Sequence, residues 1–274
     1  MHFNRKKISE PKLRISPRSK KKKRTRKSKK KDIAPVVRSR PKRRNVGIKK
    51  TVREVYKYHD KTSYKSLSLW KGILAGHTSF VLGNAPSISK QNLSLLDPYF
   101  TIGINRIFYL YDPTILIWQD KELWDSDKKN IMKQKAIRVC AYQAAPKNTF
   151  LNFRVANGPF KFKDNLEVLH GKGNSGVLAI QMSIALGCSN IVLLGTDCKY
   201  AGKKTNFYGK NKDHKPYTLK MCRTAMKWAK YNCPIPIYNC SENVLWPTQK
   251  LKDVIKMIKP KKLNREKYRK IFRK

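Results

Sequence analysis

Asn174–Asp197 reads NSGVLAIQMSIALGCSNIVLLGTD: a loop, a helix, and a strand that ends in an acid. Val177 to Leu186 is apolar at helical spacing, and Gly187 is a natural helix terminator. Asn190 to Leu194 is the apolar, β-branched core of a strand. Asn174 or Ser175 would cap the helix, and the free N–H groups of its first turn suit a phosphate. In an open parallel sheet, ligands bind beyond the carboxyl ends of the strands, so Asp197 falls at the edge of a site.

Outward from this segment, strands and helices alternate. Strands are expected at Ser79–Leu82, Tyr99–Ile104, Thr114–Trp118, Ala136–Ala141 and Ile235–Tyr238, with a short one near 149–155. Helices are expected at Ile88–Leu96, capped by Ser87, and at Lys121–Lys133, Tyr217–Tyr231 and Pro247–Ile258. A polar insertion occupies 201–215. The alternation argues one α/β, Rossmann-like domain with a doubly wound, mostly parallel sheet over residues 66–259.

Flanking it are a basic arm at 1–65 and a basic tail at 260–274, both expected to be disordered. Of the net charge of +46, residues 1–50 carry +21, with 23 Lys and Arg against Glu10 and Asp32. Residues 257–274 carry +8, which leaves +17 on 51–256. A folded body that is itself basic points to a polyanion as partner, nucleic acid first and an anionic membrane second. No apolar run reaches the roughly 18 residues of a spanning helix, and the start lacks the apolar core of a signal peptide. A cytoplasmic, reducing location follows as the expectation. Cys140, Cys188, Cys198, Cys222, Cys233 and Cys240 form no CxxC pair, so buried free thiols are expected rather than zinc ligands.

Gly83-Asn84-Ala85-Pro86-Ser87 is a tight strand-to-helix turn in which glycine permits close backbone approach and Pro86 and Ser87 start the helix. It is neither a Walker loop nor a GxGxxG fingerprint, which argues against a P-loop kinase or a dehydrogenase. The amides of Asn84 and Asn105, at strand ends, suit a base, a ribose or a phosphate. Asp197 has two equal readings, a turn cap or a ribose ligand. Asp120 reads first as a helix cap and second as a metal ligand, His170 as a second-rank base, and His77 as structural.

Four short motifs in order carry a resemblance: Gly83-Asn84-Ala85-Pro86-Ser87-Ile88, Gly103-Ile104-Asn105-Arg106, Asn174-Ser175-Gly176-Val177 with Ile184-Ala185-Leu186-Gly187, and Leu194-Gly195-Thr196-Asp197. Together, over about residues 76–245, they resemble the bacterial sialyltransferases that use a CMP-sugar donor. The archaeal hydroxymethylpterin pyrophosphokinase-like proteins share the glycine-asparagine turn and the later Leu-Gly-x-Asp. The resemblance implies a glycosyltransferase with a CMP- or UDP-linked sugar donor and no metal. It implies that Gly83, Asn84, Pro86, Ser87, Asn105, Asn174, Ser175, Gly176 and Asp197 hold the donor. It further implies that Tyr200 and Tyr208 help the donor phosphate leave and that His214 deprotonates the acceptor. Tyr200 is offset by about one residue from the family pattern, and lysines are inserted before Tyr208. Such roles are chemically sound, because a neutral imidazole accepts a hydroxyl proton and phenols stabilise a leaving phosphate.

Charge rather than motif speaks to the acceptor. A hydroxymethylated pyrimidine in viral DNA needs both a donor pocket and a wide cationic surface, and its base must be extruded from the stack. The alternatives are a glycan or lipid-linked acceptor, pyrophosphoryl transfer from ATP to a hydroxymethyl group, and a non-catalytic nucleic-acid-binding protein.

Overall fold

A computed structural model describes residues 67–146, 150–156, 162, 166–171, 173–209 and 216–273. Eight strands form one parallel sheet in the order β6-β5-β4-β3-β2-β1-β7-β8. They are β1 (Thr78–Leu82), β2 (Thr101–Ile104), β3 (Ile115–Trp118), β4 (Ile137–Ala141), β5 (Leu151–Val155), β6 (Val168–Leu169), β7 (Asn190–Leu194) and β8 (Ile237–Asn239). Every residue of β1, β2 and β3 is buried, as expected when helices cover both faces of a parallel sheet. This is the α/β, doubly wound architecture that the alternation of elements implies.

Among the described residues five α-helices accompany the sheet: α1 (Lys121–Lys133), α2 (Ser175–Ala185), α3 (Pro216–Asn232), α4 (Leu251–Ile258) and α5 (Arg265–Arg273). Helix α2 is apolar almost all round, and ten of its eleven residues are buried. It carries the chain from the β6 edge back to β7, which pairs with β1 from Thr78↔Asn190 to Leu82↔Leu194. Strand order therefore reverses at β1, which has β2 on one side and β7 on the other. The crevice beyond the carboxyl ends of β1 and β7 is the topological switch point, where such sheets bind ligands.

Two expectations differ from the structure. Residues 88–96 do not form one helix capped by Ser87 but two 3-10 turns, Pro86–Lys90 and Leu93–Leu96, separated by extended backbone at Gln91. The Ser87 hydroxyl donates to Asp197 Oδ1 at 2.5 Å, so it is not available as a cap. The segment after residue 259 is not a loose tail, because α5 packs along the amino ends of the strands. Arg265 donates to the carbonyls of Leu96, Tyr99 and Asp112, and burial lowers its pKa to about 10. Arg269, also buried, pairs with Asp112 at 2.7 Å and Glu266 at 2.7 Å and donates to the Pro113 carbonyl. Both arginines thus cover backbone carbonyls at the foot of the sheet, an opposite duty from binding an outside polyanion.

Truncating Arg269 strands these carboxylates and the Pro113 carbonyl. Since both acids keep partial contact with water, Arg269→Ala is expected to cost about 2 kcal/mol in urea denaturation. A change near zero would show that α5 only rests on the surface. Among the described residues, no helix is long and apolar enough to cross a membrane.

Candidate functional site

At the switch point lies a cleft of about 570 Å³. Its floor is made by Gly83 and Gly195, the residues immediately after β1 and β7. Gly83 N–H donates to the Leu194 carbonyl at 2.7 Å, and Ala85 N–H to the Gly195 carbonyl at 2.9 Å. A Cβ on Gly83 would lie 2.2 Å from the Gly195 carbonyl oxygen, so the two turns touch backbone to backbone. Gly195 itself sits at φ +61, a region where glycine is at home.

Two asparagines project into this space. Asn84 donates from Nδ2 to the Ile104 carbonyl at 2.8 Å, while its Oδ1 is buried without a hydrogen-bond partner. Asn105 stands at the end of β2 with φ +49, and its Oδ1 is likewise buried and unpartnered. A buried acceptor left unpaired costs about 1–3 kcal/mol, which a hydrogen-bond donor would offset. A nucleoside offers such donors as exocyclic amines and ribose hydroxyls.

The N-terminus of α2 forms the opposite wall. Asn174 Oδ1 accepts from Gly176 N–H at 2.7 Å and Val177 N–H at 3.3 Å, making Asn174 rather than Ser175 the cap. Its Nδ2 donates to the Cys222 carbonyl, which ties α2 to α3. Ser175 and Gly176 also line the cleft, at the positive end of an eleven-residue helix.

Two cations line the cleft, Arg106 and Lys199, and Arg106 is the one fixed by its neighbours. Its side chain is tethered by Asp127 (Nε to Oδ2, 2.9 Å) and Ser126 (2.8 Å), and Tyr109 donates to the other Asp127 oxygen. Burial alone would raise the Asp127 pKa, but hydrogen bonds from Ser126 and Tyr109 and the Arg106 charge outweigh it and hold the carboxyl below its usual range. So fixed, the guanidinium lies 5.3 Å from the centroid of the Tyr208 ring. Burial raises the Tyr208 pKa and Arg106 opposes the rise, so the phenol stays protonated and able to donate at neutral pH. The turn bearing Tyr208 is pinned over Asn84 by a bond from Phe207 N–H to the Asn84 carbonyl at 2.8 Å.

Of the expected donor-site residues, the cleft gathers Gly83, Asn84, Asn105, Asn174, Ser175, Gly176 and Asp197, together with Tyr208. Pro86, Ser87 and Tyr200 are not among its lining residues. His214 lies outside the described residues. Asp197 is 3% exposed, and its carboxylate accepts from the Ser87 hydroxyl and N–H and from Glu242 N–H. It cross-links two loops, which favours the cap over the ribose ligand. Asp197→Asn is therefore expected to lower thermal stability measurably, by about 1–2 kcal/mol, with ligand affinity unchanged once the protein is folded. A loss confined to ligand affinity would restore the ribose role.

Asp120 stands at the N-cap position of α1 yet makes no capping hydrogen bond, and it lines the cleft instead with Glu122. His170 is not a lining residue; its N–H donates to Gln181 Oε1 at 2.6 Å. His77 borders the Tyr268 ring at 6.1 Å, and burial and Lys261 lower its pKa, in keeping with a structural place at the foot of β1. The six cysteines are free, and only Cys140, Cys188 and Cys240 are fully buried. Burial pushes the thiols of Cys140, Cys188, Cys198 and Cys240 up to about 12, so they are poor nucleophiles. No cluster of three or more His, Cys, Asp or Glu side chains able to hold a metal occurs among the described residues.

Arg106 and Asp127 were the members of the site least visible in the sequence. Arg106 belongs to the Gly103–Arg106 stretch, but only the fold brings Asp127, 21 residues on, against it.

No protein-family model and no curated protein matches the chain. Among solved structures, it is similar to the sialyltransferase CstII from Campylobacter jejuni in complex with cytidine-5′-monophosphate, at 15% identity and a TM-score of 0.40. That match covers 62% of this chain and 82% of CstII. The same enzyme in complex with CMP-3FNeuAc matches at 17% identity and a TM-score of 0.34, covering 60% and 80%. A mammalian sialyltransferase matches at 10% identity and a TM-score of 0.38, covering 72% and 81%. These are partial likenesses, and the chemistry of the cleft rests on its own residues.

Proposed function

We propose that the cleft binds a nucleotide-sugar and that the protein transfers its sugar to a hydroxyl on nucleic acid, a hydroxymethylated pyrimidine fitting best. The observation that carries the donor reading is the pair of buried, unpartnered Oδ1 atoms of Asn84 and Asn105 in one cleft with Arg106 and the α2 N-terminus. The oxygens take the donor groups of a nucleoside, and the cation and helix terminus take its phosphate.

In the transfer, the acceptor oxygen bonds to the anomeric carbon while the bond from that carbon to the phosphate oxygen breaks. The departing electron pair stays on the phosphate, where Arg106 and the Tyr208 phenol stabilise it. The acceptor proton passes to the imidazole of His214. Thr218 and Leu219, four and five residues further along the sequence, line the cleft, which supports that assignment. Because fixed side chains and a helix terminus supply the positive charge, transfer is expected to survive chelation by EDTA. Loss of turnover that returns with a divalent cation would contradict this.

The nucleic-acid acceptor is supported by charge: a net +46, with +21 of it on residues 1–50. The test incubates the full chain with CMP- and UDP-linked sugars and an oligonucleotide bearing hydroxymethylpyrimidine, and mass spectrometry reads the product. A gain of one sugar on the modified strand alone is expected. Transfer to glycans alone would move the acceptor to the alternative class, and release of AMP from ATP would favour pyrophosphoryl transfer.

A further inference from the structure

Helix α3 has one face turned to the cleft and another turned to solvent. Leu219, Cys222 and Met226 of the first face line the cleft. The solvent face carries Tyr217, Lys220, Thr224, Lys227 and Tyr231 at spacings of three and four, with Arg223 beside them. Tyr217 and Tyr231 are each 70% exposed, and neither makes a hydrogen bond or ring contact among the described residues. At 1.5 Å per residue they lie about 21 Å apart along the helix axis.

No acid occurs anywhere in α3, and no acid pairs with Lys220, Arg223 or Lys227 among the described residues. The other helices differ. Helix α1 mixes its lysines with Glu122, Asp125 and Asp127. Helix α5 spends Arg265 and Arg269 on the protein's own carbonyls and carboxylates, at the end of the sheet away from the cleft. Lys230 of α3 is likewise engaged, donating to the Leu245 carbonyl. On α3 the unpaired Lys220, Arg223 and Lys227 lie between two exposed phenol rings, in a stripe that begins at the rim of the cleft.

We infer that this face of α3 is a binding track for single-stranded nucleic acid, with phosphates on Lys220, Arg223 and Lys227 and bases stacked on Tyr217 and Tyr231. An exposed ring has a flat face for any base, and cations interleaved with rings follow a sugar-phosphate backbone. An acidic lipid surface would match the cations, but Lys220, Arg223, Thr224 and Lys227 between the tyrosines include no aliphatic side chain to enter an acyl layer. The track deepens the proposed function, since it would lead an unstacked base toward Leu219 and the cleft.

The test uses the full chain and a single-stranded oligonucleotide of about a dozen nucleotides carrying 5-bromodeoxyuridine. Ultraviolet crosslinking and peptide mapping are expected to mark residues 216–231, and Tyr217→Ala with Tyr231→Ala should remove that mark. Crosslinks confined to residues 1–66 would overturn the track. In anisotropy titrations, K220Q/R223Q/K227Q is expected to reduce the salt slope by about 2 and weaken binding by tenfold or more at low salt. The control K256Q/K262Q/K267Q should change neither; an equal loss in the control would reduce the effect to overall charge and overturn the proposal. Loss of binding to phosphatidylserine vesicles with oligonucleotide binding intact would assign the face to lipid and overturn it as well. Stabilisation by a nucleotide-sugar, followed in the same variants, is expected to persist. Its absence in the wild type would sink the donor reading without touching the crosslinking result.

Discussion

Gly83→Ala should abolish the folded protein or lower its stability by about 4 kcal/mol or more, among the largest effects of any single substitution. The new Cβ would meet the Gly195 carbonyl oxygen at 2.2 Å and the Thr196 side chain at 3.1 Å. The first of these is backbone, held by the bond between Gly83 N–H and the Leu194 carbonyl, so it cannot swing aside. Relief requires parting β1 from β7, the pair joined over five residues at the switch point, whose ends form the floor of the cleft. Urea denaturation with circular dichroism measures the loss. A variant as stable as the wild type would mean that the two turns do not touch as described. Gly202→Ala is the control: Gly202 has positive φ, which Gly83 lacks, but its Cβ meets nothing within 4 Å, so only a small strain cost of about 1 kcal/mol is expected.

Arg106→Ala should reduce sugar transfer by about 100- to 1000-fold, the range seen when one preorganised donor to a developing charge is removed. Arg106 touches both the space for the phosphate and the Tyr208 phenol, so its loss removes one stabilising group and loosens a second. Asp127→Asn should be milder, about tenfold, because the tether weakens while the cation stays. The acid dependence follows from the depressed Asp127 pKa. Stability from this ion pair is complete above the ordinary carboxylate range and is lost as pH falls through the lowered folded value. Asp127→Asn should therefore lower stability near neutrality and remove this part of the loss seen as pH falls below about 4. Steady-state kinetics separates the roles: a fall in kcat marks transition-state stabilisation, whereas a rise in KM alone would reduce Arg106 to ground-state binding.

The residues that were legible in the sequence obey local rules. Apolar β-branched runs gave β1, β2, β3 and β7, and the polar-apolar period of Lys121–Lys133 gave α1 with the observed ends. Asn174 was legible as a cap because its side chain acts on its own next turn. The misses depend on distant partners. Ser87 has the sequence of a helix cap, but Asp197, 110 residues away, takes its hydroxyl. Strand β6 is only two residues long and has no period to detect. In Asn264–Lys274 the basic composition masks two arginines buried against the foot of the sheet. Tyr200 and Tyr208 were indistinguishable by type and neighbourhood, and only Tyr208 meets Arg106 in the cleft. The acceptor is the least local property of all, since the charge that suggests it is spread over the chain.

The central claim is that the switch-point cleft holds a nucleotide-sugar through Asn84, Asn105 and Arg106. Thermal denaturation of the full chain against CMP- and UDP-linked sugars tests it most directly, alongside Asn105→Asp. That variant keeps an acceptor oxygen and tolerates the positive φ, but sets a negative charge near the donor phosphate. At a hundredfold excess over its dissociation constant, one donor should stabilise the wild type by about 2.7 kcal/mol and fail to stabilise Asn105→Asp. No stabilisation of the wild type by any nucleotide-sugar, or an equal shift in both proteins, would contradict the claim.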